Sequence, residues 1–240
     1  MTHRALRRLV ASSFAAALVL AACGGGDEPV ADQVPTIVTT LPDFDGPVST
    51  VPDDIPGDFD GAIGPVDITG ESLPRLEVDV IDADPAMGLT APVVVGADFN
   101  GIPARIDAAQ DGPTMVVFLA HWCPHCNDEI PILNEMRQKG QFPAELNVIA
   151  VSTSPAPGQP NFPPGEWLAE KDWRYPIIAD GVDAESGTFL AAEAFGVSAF
   201  PFMTLIDGDG NIAARWSGGG QADAIIAQIE GRLGLVSEGL

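Results

Sequence analysis

The arrangement of apolar and polar residues in the second half of the chain predicts an α/β domain. Three segments are almost continuously apolar, as strands buried on both faces of a sheet are: residues 114–120, 146–151 and 176–179. Apolar residues at helical spacing predict helices over residues 126–139, from 163–165 onward, over 188–195 and over 221–233. Residues 202–206 and 212–216 flank a turn of alternating Asp and Gly, which predicts an antiparallel hairpin.

Two shorter apolar segments precede this region. Residues 92–95 and 104–106 flank Asn100-Gly101, which predicts a short N-terminal β-hairpin. Alternating strands and helices followed by a hairpin and a last helix predict a mixed central sheet with helices on both faces. We expect this single α/β domain to occupy residues 75–240.

The first 23 residues have the pattern of an export signal. Several arginines precede the largely apolar residues 9–20, a stretch as long as a signal-peptide core and too short to span a bilayer. The residues that follow, Leu-Ala-Ala-Cys-Gly at 20–24, resemble the lipobox of bacterial lipoproteins, in which the cysteine is acylated and becomes the mature N-terminus. We therefore expect an exported protein, anchored by a lipid on Cys23 to the outer face of the cell membrane. An ordinary cleavage site beside an incidental cysteine is the alternative.

Residues 24–74 differ in composition from the rest of the chain. They are rich in Pro, Gly and acidic residues and contain no Lys or Arg. Such a segment buries too little apolar surface to offset its ordering entropy, and its prolines block helices and central strands. This composition predicts a disordered, acidic tether.

Charge and cysteine content exclude several classes of protein. The chain has 240 residues, with 11 Lys and Arg against 34 Asp and Glu, for a net charge of −23. A protein this acidic repels phosphate backbones, so we expect no nucleic-acid partner. Its 3 cysteines are too few for a disulfide-stapled scaffold.

Two of these cysteines form the strongest chemical signal. They are Cys123 and Cys126, in a Cys-x-x-Cys motif where the predicted strand 114–120 gives way to a helix. The first thiol then lies at a helix N-terminus, where free N–H groups and the helix dipole stabilise a thiolate. A two-residue spacer brings both sulfurs within bonding distance across one helical turn.

The two residues between the cysteines fit the same chemistry. Pro124 suits the first helical turn, because its missing N–H costs nothing there. His125 supplies an imidazole that, when protonated, favours the Cys123 thiolate. The motif predicts dithiol/disulfide exchange that needs no cofactor beyond the redox-active Cys123–Cys126 disulfide.

Other interpretations of the cluster stay open at this point. A structural disulfide would close a loop too short to stabilise much. A copper or zinc site, as in a copper-binding metallochaperone, could use His121, Cys123, His125 and Cys126, although structural zinc sites usually need a second ligand pair elsewhere in the chain. A single-cysteine mechanism would need a remote histidine base, and the sequence after the leader offers none.

Two motifs give the chain a resemblance to a known family. Ala-x-Trp-Cys-Pro-x-Cys at 120–126, followed by Glu-x-Pro at 129–131, resembles thioredoxin-fold proteins of the TlpA/ResA-like (redoxin) type. Residues 197–202, Val-Ser-Ala-Phe-Pro-Phe, are similar to the cis-proline loop that faces the disulfide in that family. The resemblance extends over roughly residues 91–233 and implies a thioredoxin-like fold. The Cys-Pro-His-Cys variant is also similar to that of DsbA-type oxidants.

The resemblance implies a role for each cysteine and for one acid. Cys123 would be the nucleophile that attacks a partner disulfide, and Cys126 would resolve the mixed disulfide. Glu129 matches an acid that ResA-like proteins place beside the buried second cysteine, where it could exchange that thiol's proton. An ordinary first-turn carboxylate that complements the helix dipole is the alternative for Glu129.

Three further residues would shape the site. The resemblance implies that Trp122 shields the pair and offers an apolar platform, and that Pro201 is cis and holds the Phe200 backbone where a bound peptide can pair with it. Together these expectations describe an extracytoplasmic thiol:disulfide oxidoreductase that acts on protein thiols and disulfides with a membrane or extracytoplasmic redox partner. The direction of electron flow stays open: Pro124-His125 favours an oxidising pair, whereas the TlpA-like frame more often belongs to reductants, which we prefer slightly.

Overall fold

The computed structural model describes residues 61–77 and 84–237. Its strands are β1 (Val66–Thr69), β2 (Val93–Ala97), β3 (Pro103–Ile106), β4 (Thr114–Leu119), β5 (Asn147–Ser152), β6 (Ile177–Ala179), β7 (Phe202–Ile206) and β8 (Ile212–Ser217). Its helices are α1 (Ala108–Asp111), α2 (Pro124–Gln138), α3 (Pro164–Glu170), α4 (Leu190–Ala194) and α5 (Ala222–Leu233).

Five strands form the central sheet, in the order β6-β5-β4-β7-β8. Strands β4, β5 and β6 are parallel, whereas β7 runs antiparallel to β4 and β8 antiparallel to β7. A parallel half joined to an antiparallel hairpin is the mixed sheet that the sequence predicted, and this topology confirms the thioredoxin-like fold.

The central strand β4 separates two hydrophobic cores. Because successive side chains of a strand point to opposite faces, Met115, Val117 and Leu119 pack into one core, and Val116 and Phe118 into the other. Helices α2, α3 and α5 contribute to the first core, and α4 to the second. Both faces of the sheet are therefore covered, as predicted.

A second, smaller sheet has the order β1-β2-β3. Its β2 and β3 form the predicted N-terminal hairpin, with antiparallel pairing on both sides of β2. This sheet packs on the same core as α4, through Val66, Val94 and Ile106.

Strand β1 corrects the predicted boundary between tether and domain. The folded domain includes residues 61–77, so the tether does not extend to residue 74 and the domain does not begin at 75. After β1, Leu73 and Leu76 are buried in the core beside α4. The alternating Val66 and Ile68 are a strand pattern that the average composition of residues 24–74 concealed. The rest of that segment and the predicted signal with Cys23 lie outside the described residues.

Within the described ranges, no helix has the length and apolar character that a membrane span requires.

Candidate active site

The two cysteines lie at the junction of β4 and α2. Cys123 is the N-cap residue of α2, and its Sγ accepts a hydrogen bond from the Cys126 backbone N–H at 3.4 Å. Both are free thiols and both are buried: the exposed fraction is 5% for Cys123 and 0% for Cys126. Burial raises the pKa of the Cys126 thiol. The pair is therefore asymmetric: Cys123 is the more exposed of the two, whereas burial disfavours ionisation of the Cys126 thiol.

The turn before β7 lies across from Cys123. The Phe200–Pro201 peptide bond is cis, and the Phe200 carbonyl oxygen accepts a hydrogen bond from Cys123 Sγ at 3.4 Å. The Trp122 ring packs edge-to-face against Phe200 with the centroids 5.9 Å apart. Because Trp122 is 37% exposed, it forms an apolar surface beside the reactive sulfur.

Glu129 lies behind the cysteine pair and is only 1% exposed. Its Oε2 accepts a hydrogen bond from the Gly220 backbone N–H at 2.9 Å, and no described residue hydrogen-bonds to its buried Oε1. Burial raises the pKa of Glu129 to about 7, and the charge on Glu129 in turn helps to raise the pKa of Cys126. The first turn of α2 contains no acidic residue, so the alternative of a first-turn carboxylate is wrong.

The residues between the cysteines face outward. Pro124 occupies the first position of α2, as predicted, and is exposed. His125 is exposed in the same turn. The effect of His125 on the Cys123 thiolate stays a prediction.

Two polar residues of the site were not assigned these roles from the sequence. Asn127 donates from Nδ2 to the Cys123 carbonyl oxygen at 3.0 Å and accepts from Trp167 Nε1 at 2.9 Å. It thereby joins the active-site turn to α3. A single Asn beside a redox motif carries no signal of such a contact, because its partner comes from a distant helix.

The second is His121, which is completely buried. Its Nδ1 lies 2.8 Å from the Pro160 carbonyl oxygen, and its Nε2 accepts from the Ala156 backbone N–H at 2.9 Å. Both ring nitrogens are thus occupied by backbone groups rather than directed at the cysteines. Among the described residues no three His, Cys, Asp or Glu side chains are grouped to hold a metal ion. The copper-binding alternative would therefore have to do without a free His121 nitrogen, and it stays a prediction.

Comparison with known proteins agrees with this geometry. The model of the AhpC/TSA family matches residues 84–215, more than half of the chain. The chain belongs to the AhpC/TSA family. The match confirms the redoxin resemblance that the two motifs indicated.

The individual relatives that match share about a third or less of the aligned residues with this chain. The methylamine utilization protein MauD of Paracoccus denitrificans is 31% identical over 139 residues, which cover 57% of this chain and 61% of MauD. The thiol-disulfide oxidoreductase ResA of Geobacillus thermodenitrificans is 27% identical over 127 residues, 53% of this chain and 67% of ResA. The chain thus spans about three fifths of the length of MauD. Among solved structures, a putative thiol:disulfide interchange protein DsbE from Chlorobium tepidum has 21% identity and a TM-score of 0.46 over 61% of this chain and 96% of that one.

Proposed function

We propose that this protein is an extracytoplasmic thiol:disulfide oxidoreductase that exchanges disulfides with protein substrates through Cys123 and Cys126. The observation that carries the proposal is the position of the Cys123 sulfur, between the N-terminus of α2 and the Phe200 carbonyl oxygen. There a sulfur is polarised by the helix and faces a backbone that a peptide can approach. The relation to ResA, which is named a thiol-disulfide oxidoreductase, supports the same chemistry.

The first step is attack by Cys123 on a partner disulfide. The Cys123 thiolate forms a bond to one sulfur of the partner, the partner's S–S bond breaks, and the other sulfur leaves as a thiolate that takes up a proton. The product is a mixed disulfide between Cys123 and the partner. The exposed ring of Trp122 lies beside it and offers the partner an apolar contact.

The second step is resolution by Cys126. Its thiol must first lose a proton, and the Glu129 carboxylate is the buried base that can accept it. The Cys126 thiolate then attacks Cys123 Sγ, which forms the intramolecular disulfide and releases the partner's second thiolate. Two electrons pass from the protein to the partner, and run in reverse the same steps oxidise a partner dithiol.

Reduction is the direction we favour. The TlpA/ResA-like frame that the chain resembles is found more often in reductants. Burial raises the pKa of Cys126, so Cys126 does not supply the stabilised thiolate on which a strong oxidant depends. His125 supports the opposite direction if its protonated ring favours the Cys123 thiolate. A redox titration against glutathione separates the two: a value near roughly −120 mV identifies an oxidant, and one near or below roughly −270 mV a reductant.

Export and anchoring are part of the proposal. The leader pattern and the lipobox-like Cys23 support a lipid anchor on the outer face of the membrane, followed by an acidic tether. Expression with a labelled fatty acid tests this directly. We expect label on the wild-type protein and none on Cys23→Ser; equal labelling of both would contradict the anchor.

The decisive experiment for the activity compares three proteins in insulin reduction. We expect turnover by the wild type and loss of turnover in both Cys123→Ser and Cys126→Ser. The two variants also differ from each other: Cys126→Ser retains the nucleophile and accumulates a mixed disulfide that a mass spectrum detects, whereas Cys123→Ser forms none through Cys123. Turnover retained by both variants would overturn the proposed function.

A further inference from the structure

His121 makes four contacts with one loop, residues 154–163, which we call the covering loop. Two are the ring contacts with Pro160 and Ala156 described above. In addition, the His121 carbonyl oxygen accepts from Asn161 Nδ2 at 2.8 Å, and the imidazole packs edge-to-face on Phe162 at 5.6 Å between centroids. His121 lies two positions before Cys123 in the sequence and thus holds the covering loop, which is more than 30 residues away.

These contacts fix the protonation state of the ring. The Pro160 carbonyl oxygen can only accept, so Nδ1 carries the hydrogen; the Ala156 N–H can only donate, so Nε2 carries none. His121 is therefore neutral, in its Nδ1–H tautomer. Burial lowers the pKa of His121, in keeping with this form. A protonated ring would set one N–H against another at Ala156.

The covering loop depends on such side-chain contacts. It contains four prolines, which remove backbone donors and leave few N–H groups for internal hydrogen bonds. Apart from helices and strands, the backbone hydrogen bond that lies wholly within it runs from the Gln159 N–H to the Ala156 carbonyl oxygen. The His121 contacts with Ala156 and Pro160 lie on either side of this turn and hold it against the connection between β4 and α2.

The loop in turn fixes the surface beside the reactive sulfur. The Ser154 carbonyl oxygen accepts from Trp122 Nε1 at 2.7 Å, which orients the indole that packs on Phe200. Neighbouring residues of the motif, His121 and Trp122, therefore hold the same loop from its middle and from its start. Loss of the His121 contacts would free both the loop and the indole.

We propose that His121 is a positioning residue that makes the site selective for polypeptide disulfides over small ones, an inference that rests on the proposed function. A small disulfide needs only access to the Cys123 sulfur. A polypeptide must also lie along Trp122 and the covering loop, and a preformed surface spares it the cost of ordering them. His121 acts through this surface and takes no part in the exchange of electrons.

The test compares His121→Phe with the wild type against two disulfides. Phenylalanine keeps the ring and removes both nitrogen contacts. Reduced protein is mixed with insulin and, separately, with dithiobis(nitrobenzoate), and the rate is followed as a function of disulfide concentration. For insulin we expect the half-saturating concentration to rise about tenfold with the maximal rate unchanged, which corresponds to about 1.4 kcal/mol of lost binding. For the small disulfide we expect a rate within twofold of the wild type.

Two further variants make the result specific. His121→Asn keeps an N–H near the position of Nδ1. For this variant we expect the half-saturating insulin concentration to rise only about threefold over the wild type, about half of the binding free energy that His121→Phe loses. Thr114→Val removes a partly buried hydrogen bond to the Gly112 carbonyl oxygen at the opposite end of β4, and should leave both rates unchanged. Equal effects of His121→Phe on the two disulfides, or no effect on insulin, would overturn the proposal. If His121→Phe does not fold, the rates of His121→Asn with insulin and with the small disulfide are compared with those of the wild type instead.

A measurement without turnover separates this proposal from the proposed function. Hydrogen exchange at the Ala156 amide should be slow in the wild type and in Thr114→Val, and at least tenfold faster in His121→Phe. If the wild-type protein reacted with neither insulin nor dithiobis(nitrobenzoate), the proposed function would be wrong, and the proposed selectivity for polypeptide disulfides would be wrong with it. Exchange at Ala156 that is equally fast in the wild type and His121→Phe would overturn the positioning role alone.

Discussion

Glu129 accepts a hydrogen bond from the backbone of Gly220, a residue 91 positions away in the sequence, at 2.9 Å. This contact ties α2 to the glycine-rich turn that precedes α5. The approach is close: a Cβ on Gly219 would lie 3.0 Å from Glu129 Oε2, so the carboxylate would have to shift by a few tenths of an ångström. The acid is thus enclosed by the chain, and its charge helps to raise the pKa of Cys126.

Replacement of Glu129 by Gln should change how stability depends on pH. Burial raises the pKa of Glu129 from 4.5 to about 7, so the folded state binds this proton more tightly than the unfolded state. Its contribution to the free energy of unfolding is full below pH 4.5 and is lost as the pH rises through 7. Glutamine still accepts from Gly220 but does not titrate. We expect the stability of Glu129→Gln relative to the wild type to rise by about 2–3 kcal/mol between pH 5 and pH 8.

Urea unfolding at both pH values measures this difference. Glu230→Gln is a suitable control, because Glu230 is exposed on α5 and should give the same difference from the wild type at each pH. A Glu129→Gln difference that does not vary with pH would show that the Glu129 carboxyl does not titrate in this range.

The same variant should slow one step of the exchange reaction. When reduced protein reacts with dithiobis(nitrobenzoate), the proposed mechanism predicts that Cys123 releases the first thionitrobenzoate and Cys126 the second. Because the buried Cys126 thiol needs an acceptor for its proton, we expect Glu129→Gln to slow the second release about tenfold to a hundredfold and to leave the first unchanged. Stopped-flow absorbance resolves the two phases. Equal slowing of both would mean that Glu129 acts on the shape of the site rather than on Cys126.

Removing one partner of the buried ion pair between Asp84 and Arg215 should destabilise the protein strongly. Arg215 donates from Nε at 2.9 Å and from Nη2 at 2.5 Å to the Asp84 carboxylate, and from Nη1 to the Phe195 carbonyl oxygen at 2.7 Å. Both side chains are fully buried. Asp84→Asn removes the negative charge and leaves the guanidinium uncompensated, for which we expect a loss of about 3–5 kcal/mol in urea unfolding at pH 7.

A second variant tests whether the missing charge causes this loss. Arg215→Met in the Asp84→Asn background removes the uncompensated cation, so the double variant should regain part of the stability that Asp84→Asn loses. A double variant less stable than Asp84→Asn would contradict this account and attribute the loss to packing around Arg215.

Local patterns predicted the central elements well. Strand β4 and the start of α2 were predicted to within a residue or two, because a continuous apolar run and a proline in the first turn are local signals. The cysteines and the Phe200-Pro201 loop were placed together through two motifs in a family resemblance. Strand β1 was missed, because four residues with a strand pattern are hidden when composition is averaged over a segment rich in proline and acid.

The contacts that could not be predicted join distant parts of the chain. Nothing near His121 indicates that its ring meets residues 156 and 160, and the same holds for Asp84 and Arg215, which are 131 positions apart. The surroundings of Glu129 were equally hidden: the family resemblance implied that it lies near Cys126, but its contact with Gly220 depends on the turn at 218–220. Such features arise from the fold, and the sequence supplies only the residue types that make them feasible.

The segment before the central domain can be tested through two glycines with the same backbone conformation. Gly196 and Gly140 have φ values of +62° and +63°. A Cβ at Gly140 meets nothing within 4 Å, whereas one at Gly196 would overlap the Pro74 carbonyl oxygen. Around this point the Leu73 N–H donates to the Ala194 carbonyl oxygen at 2.8 Å, so the segment is held against the end of α4.

Alanine at either position incurs the cost of a left-handed residue, about 1–2 kcal/mol. Only Gly196→Ala must also displace the segment that contains Leu73 and Leu76, together with Arg215 Nη1, which the new Cβ would approach to 2.9 Å. We expect these displacements to add at least about 2 kcal/mol to the loss. Urea unfolding of the two variants therefore compares them at equal backbone strain. Equal losses would show that residues 73–76 do not pack on α4, and would return the start of the domain to the position that composition alone predicted.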